Sequence, residues 1–193
     1  IKKLMNIGNF SEAEKLLLSL EAKNQLDHIG LHLLSMIYKL KSDYLIALKL
    51  LIKSINIDPL YAQAYSDIGA IYLEIKNISM AIRYLEKSLE IEPEGLSPNI
   101  NLGLAYRILG KYKISVKYYS QALKINPNNS TLNFKIGQIY EKLTDFDKAN
   151  FFYRKSFSID PNNRRAIFNS YRLNLKNFDF NSITNINSIL SEF

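Results

Sequence analysis

Proline recurs at Pro59, Pro93, Pro127 and Pro161, each 34 residues after the last, and these are four of the five prolines in the chain. Self-similarity at such a period marks a repeat array, in which every unit packs on its neighbours, and excludes a single central core. The same register carries an apolar track, Phe10, Tyr44, Ile78, Tyr112, Phe146 and Phe180, again 34 apart. The repeat therefore runs along nearly all of the 193 residues.

Within each period the apolar residues follow helical spacing twice, with a break between, which predicts a pair of antiparallel helices. Over residues 62–95 the first helix is expected to bury Tyr65, Ile68 and Tyr72, and Asn77 marks the turn. The second is expected to bury Ile78, Ala81, Ile82, Leu85 and Leu89 before Pro93 stops it. Proline lacks the amide donor and disfavours helical geometry in the residue before it, so Asp58-Pro59, Glu92-Pro93, Asn126-Pro127 and Asp160-Pro161 read as terminators. Counted from residues 28, 62, 96 and 130, the eighth position is Ser35, Gly69, Gly103 and Gly137, and the twentieth is Ala47, Ala81, Ser115 and Ala149. Small residues on both helices predict a close approach there. Tyr38, Tyr72, Tyr106 and Tyr140 recur at position 11, Leu51, Leu85, Tyr119 and Tyr153 at position 24, and Ile57, Ile91, Ile125 and Ile159 close each second helix.

On these residues the chain resembles the tetratricopeptide repeat (TPR) proteins. The resemblance implies an all-α fold, a right-handed α-solenoid of stacked antiparallel helix pairs. It covers four complete units, 28–61, 62–95, 96–129 and 130–163, and residues 1–27 are expected to form a partial repeat, mainly its second helix through Phe10, Ala13 and Leu17. Pentatricopeptide repeats have a slightly longer period and would not explain the proline spacing. Residues 164–193 depart from the pattern, with Tyr171 where glycine should stand, Asn174 in place of the tyrosine and Asn187 at an aromatic position. A degenerate repeat or capping pair is expected there, with helices near 164–176 and 180–191.

No apolar run approaches the roughly 18 residues of a membrane span, and the start does not resemble a signal peptide. With no cysteine there is neither a disulfide framework nor a thiolate metal site, which fits a reducing compartment, and the cytoplasm is the expected location. The chain starts at Ile1, inside the first helix of a repeat by register, so a fragment is expected. The net charge of +7 is uneven: residues 1–96 carry 11 basic and 12 acidic groups, residues 97–193 carry 14 and 6. That asymmetry favours acidic partners toward the C-terminal half.

The resemblance also implies that positions 2, 5, 6, 9, 12 and 13 of the first helices face a concave groove. Basic donors interleaved with aromatics there suit an extended acidic segment, because guanidinium groups take carboxylates in pairs and amides bond a peptide backbone. The candidate binding residues are Asn101, Arg107, Phe134, Lys135, Arg165, Phe168, Asn169 and Arg172. The carboxylate clamp of certain TPR co-chaperones, two asparagines, two lysines and an arginine, fails in register, and an asparagine ladder is broken by Lys135. His28 and His32 share a helix face, but no third metal ligand is evident, and Asp67 is positioned to bond His32 across units. No G-x-S-x-G turn or phosphate-binding glycine loop occurs, so neither catalysis nor a cofactor or metal is expected.

The expected function is a non-catalytic scaffold that binds a protein segment in its concave groove. The alternative is a recruiting arm of a larger enzyme, such as a bacterial transferase with its catalytic domain outside these residues. Nucleic acid is not an expected partner, since no base-reading module accompanies the charge. Self-association is expected through the N-terminal flank, where Leu4, Phe10 and Leu17 would lack cover.

Overall fold

The structure, a computed structural model, describes residues 1–177, with side chains through Asn174. The helices are α1 (Lys2–Asn6), α2 (Phe10–Ala22), α3 (His28–Leu40), α4 (Tyr44–Ile57), α5 (Ala62–Glu74), α6 (Ile78–Ile91), α7 (Leu96–Ile108), α8 (Tyr112–Ile125), α9 (Ser130–Lys142), α10 (Phe146–Ile159) and α11 (Arg164–Asn177). No strand occurs among the described residues. The helices fall into two compact units, residues 1–125 with α1 to α8, and the part from Asn126 onward with α9 to α11. The helix expected at 180–191, with Phe180, lies outside the described residues.

Local chemistry sets the boundaries. Asn9, Asp27, Asp43, Asn77, Asn129 and Asp145 each cap a helix by accepting the amide three residues on, a bond typically worth about 1 kcal/mol. The turn inside each pair needs one residue in the left-handed region, and these are Gly8, Ser42, Lys76, Gly110 and Thr144, all between φ 59 and φ 77. They too are 34 apart. Asp58, Glu92 and Asp160 leave the second helices in extended conformation ahead of proline.

The core is built across successive pairs. Ala47 and Leu51 from α4 cluster with Ala64, Ile68 and Ile71 from α5, and Ala81 and Leu85 from α6 cluster with Leu102 from α7. In the second unit Ala149 and Tyr153 from α10 meet Leu173 from α11. Within each unit a helix pair therefore buries its apolar face against the next, as a quasi-one-dimensional stack requires. Of the residues expected to be buried over 62–95, Ile68, Ala81 and Leu85 are fully so, while Tyr65, Tyr72, Ile78, Ile82 and Leu89 are half-buried.

The eighth position makes room mainly for the large residue at position 24. A β-carbon on Gly69 would stand 2.5 Å from Leu85 Cγ, on Gly103 2.6 Å from the Tyr119 ring, and on Gly137 2.7 Å from the Tyr153 ring. The small residue at position 20 adds a close backbone, with the Ala81 and Ala149 carbonyls 3.1 and 3.2 Å from the same points at Gly69 and Gly137.

Two further periodic contacts complete the pairs. Tyr72 stacks on Tyr84, Tyr106 on Tyr118 and Tyr140 on Phe152, each with centroids 5.5 Å apart. The buried Ser54, Ser88 and Ser156 hydroxyls donate to the carbonyls of His28, Ala62 and Ser130 at 2.8, 2.9 and 2.9 Å. On α11, Asn174 replaces the expected tyrosine because a polar chain runs there: Ser170 donates to Asn150 at 2.6 Å, and Asn150 donates to Asn174 at 2.7 Å.

At the N-terminal flank the expectation of three uncovered residues is corrected. Leu17 is fully buried, and Leu4 packs half-buried on the Ala13–Leu17 cluster, so only Phe10 of the three stays exposed.

Thr144 is β-branched and holds a left-handed backbone that disfavours it by about 1–2 kcal/mol. Thr144→Gly is expected to raise unfolding stability by about 1 kcal/mol, and Ser88→Ala to lower it by about 1 kcal/mol through loss of the buried hydroxyl bond. Chemical denaturation measures both.

Candidate interaction surface

The first-helix positions singled out by sequence are not consumed by the core. In the first unit Gln63, Glu74, Ser97, Arg107 and Ile108 are exposed, and Asp67, Ala70, Leu73, Ile100, Asn101 and Leu104 are half-buried; Ser66 is the buried exception. Between α5 and α7 a cleft of about 190 Å³ is lined by Gln63, Ser66, Glu92, Gly95, Ser97 and Pro98. A larger hollow of about 510 Å³ belongs to the turn from Leu143 to Asp147 and carries none of the candidate side chains.

The most organised polar group on this face joins α3 to α5. His32 Nε2 lies 2.8 Å from Asp67 Oδ2, and its Nδ1 lies 2.7 Å from the Tyr61 hydroxyl. Lys39 Nζ donates to Asp67 Oδ1 at 3.2 Å and Gln63 Nε2 to Oδ2 at 3.0 Å. An ionised Asp67 can only accept, so His32 Nε2 donates to it, and with the Tyr61 hydroxyl at Nδ1 both nitrogens of the 7% exposed ring have a partner. Burial opposes the Asp67 charge, but the bonds from His32 and Gln63 and the Lys39 ammonium prevail and hold its carboxyl below the usual value. Burial pushes the Tyr61 phenol up, and the Asp67, Asp27 and Asp58 charges push it further. His28 turns instead to Asp58, 3.5 Å away, and meets the Tyr61 ring edge-on.

The candidate residues divide between the units. Asn101 and Arg107 belong to the first, where burial pushes the Tyr119 phenol up and the charge of Arg107 opposes that push. Phe134, Lys135, Arg165, Phe168, Asn169 and Arg172 belong to the second. There Phe134 tilts on the Tyr153 ring at 5.6 Å, so part of its surface serves packing. The Tyr153 hydroxyl donates to Glu141 Oε2 at 2.9 Å, and Arg172 Nη2 donates to Glu141 Oε1 at 2.6 Å. Burial and then Glu141 push the Tyr153 phenol strongly up, against a smaller opposing pull from Arg172 and the Asn169 side chain. Phe134, Asn169 and Arg172 thus converge on Tyr153 and Glu141, whereas Phe168 is 66% exposed and Arg165 pairs with no carboxylate among the described residues.

Sequence reasoning did not find Glu141 as the partner of Arg172. Its position 12, shared with Lys39, was the available signal, since Lys39 also bonds across helices.

Stacked helix pairs with a glycine-gated interface, proline-ended second helices and polar first-helix faces define an α-solenoid of interaction repeats. The tetratricopeptide-repeat family matches residues 62–94, 103–143 and 130–163, and the chain is a tetratricopeptide-repeat protein. Comparison with curated proteins returns no match. Among solved structures, a crystal structure of MamA is similar with a TM-score of 0.75 at 21% sequence identity, over 84% of this chain and 95% of that one. MamA 41-end from Desulfovibrio magneticus RS-1 gives 0.74 at 20%, over 84% and 92%. At such identity the likeness concerns the fold. Repeats of this family are protein-interaction scaffolds, and among the described residues no helix is long and apolar enough to cross a membrane.

A lowered carboxyl makes the folded state bind its proton less tightly than the unfolded chain does. The stability Asp67 contributes is therefore present above about pH 3.9, its unfolded value, and is lost as pH falls below it. Asp67→Asn is expected to cost about 1–3 kcal/mol at neutral pH and to flatten that acid-side loss, as read by urea titrations across the range.

Proposed function

We propose that this chain is a non-catalytic scaffold that holds a protein segment along the faces of its first helices, with a preference for acidic character on α11. The observation that carries the reading is the exposed Phe168, flanked about one helical turn away by Arg165 before it and Arg172 after it. An aromatic surface between two guanidinium groups suits a segment that alternates apolar and carboxylate side chains.

Glu141 gives this reading a specific form. Its carboxylate occupies Arg172 as a ligand carboxylate would, so the first acidic contact falls to Arg165 and the second competes with Glu141. Exposed charge pairs contribute only about 0–1 kcal/mol each, and Phe168 must therefore supply much of the affinity through buried area.

Fluorescence anisotropy with acidic and charge-neutral peptides of matched apolar content tests this. Acidic peptides are expected to bind more tightly, Phe168→Ala to weaken them about tenfold, Arg165→Ala by up to about fivefold, and Glu141→Gln to strengthen them. Equal affinity for both peptide classes, or indifference to Arg165→Ala and Phe168→Ala together, contradicts the reading.

A further inference from the structure

The second helices of the first unit carry a cation track. Lys15 on α2, Lys49 on α4, Arg83 on α6 and Lys117 on α8 stand 34 residues apart, and all four are exposed. In each helix the residues two before and two after the cation are buried: Ala13 and Leu17, Ala47 and Leu51, Ala81 and Leu85, Ser115 and Tyr119, none more than 1% exposed. At about 100° per residue, the midway residue lies about 180° from the bisector of those two. Each cation therefore stands on the outermost ridge of its helix, opposite the core and away from the first-helix faces.

These charges are not spent on internal pairs. Every carboxylate on the same helices is engaged elsewhere: Glu12 by the Asn9 amide at 2.7 Å, Glu14 by Lys41 at 2.6 Å, Glu21 by Lys53 at 2.8 Å, Glu86 by the Tyr106 hydroxyl at 3.1 Å, and Glu90 by Lys87 at 2.9 Å. α4 and α8 carry no carboxylate at all. Among the described residues, none of the four ridge cations has a carboxylate partner, and Lys117 only leans over the Tyr118 ring at 5.9 Å.

Exposed aliphatics flank the row one helical turn from its cations: Leu18 beside Lys15 at 38% exposure, Leu45 and Ile52 either side of Lys49 at 65% and 39%, and Ile114 beside Lys117 at 39%. We propose that this outer ridge is a docking surface for an anionic lipid bilayer. Three of the four cations are lysines, compact hydrated charges suited to the diffuse field of headgroups. The aliphatics beside them can enter the headgroup boundary. A nucleic acid would be better served by planar stacking side chains, which this ridge lacks. Such docking leaves the first-helix faces open to a protein segment.

Co-sedimentation of the chain with vesicles decides the matter, comparing pure phosphatidylcholine with phosphatidylcholine containing about 30% phosphatidylserine. Binding is expected to the anionic vesicles only, lost as salt is raised. It should weaken about fivefold for each of Lys15→Gln, Lys49→Gln, Arg83→Gln and Lys117→Gln, which lie on exposed ridges and can be read singly or together. A control that neutralises Lys23, Lys76, Lys111 and Lys142 removes the same charge off the ridge and is expected to bind like the parent. The proposal is overturned by absence of binding to anionic vesicles at low salt, by a fourfold ridge variant that binds like the parent, by a control that loses as much, or by ridge-dependent binding of an oligonucleotide or acidic peptide without vesicle binding.

Discussion

A β-carbon added to Gly137 would lie 2.7 Å from the Tyr153 ring, and the same collision recurs at Gly103 with Tyr119 and at Gly69 with Leu85. The antiparallel pairing depends on this missing atom. Glycine inside a helix costs about 1 kcal/mol against alanine, and the large buried side chain lying across the gap offsets that cost through burial worth about 1.5–3 kcal/mol. Once the two helices sit this close, position 20 must be small, the buried serines of α4, α6 and α10 reach the first carbonyls of α3, α5 and α9, and the aromatics at positions 11 and 23 meet face to face.

The same geometry delivers polar groups to the first-helix faces. A tyrosine at position 24 crosses the interface toward position 12: the Tyr153 hydroxyl bonds Glu141, and the Tyr119 phenol feels the charge of Arg107. Leucine at the equivalent place in α4 and α6 ends short. There the polar work passes to side chains on the helix faces and at their edge, where His32, Asp67, Lys39, Gln63 and Tyr61 close a satisfied network. Tightly packed pairs thus fix the backbone, while the residues at a few face positions set what each stretch of surface can recognise.

The architecture was legible because its determinants repeat in register. Proline and glycine act through backbone geometry, and their spacing could be read without knowing any contact. The His32–Asp67 bond was also within reach, since both lie at groove positions of adjacent units. Other features were not. The left-handed turn residue is Ser42, Lys76 or Thr144 as readily as glycine, so its side-chain chemistry gives no warning. The stacks at Tyr84, Tyr118 and Phe152 were periodic but were hidden beside the stronger track at position 24. Arg172 looked available because a helical wheel does not show that Glu141, 31 residues earlier, lies within 2.6 Å.

The interlock of glycine and ring is best tested by a double-mutant cycle on Gly137 and Tyr153, read by denaturant unfolding. Gly137→Ala alone should cost about 1–3 kcal/mol by overpacking, and far less once Tyr153→Ala has removed the ring, leaving a coupling of at least about 1 kcal/mol. If the two substitutions simply add, helix approach does not depend on the absent β-carbon, and the account of this fold fails.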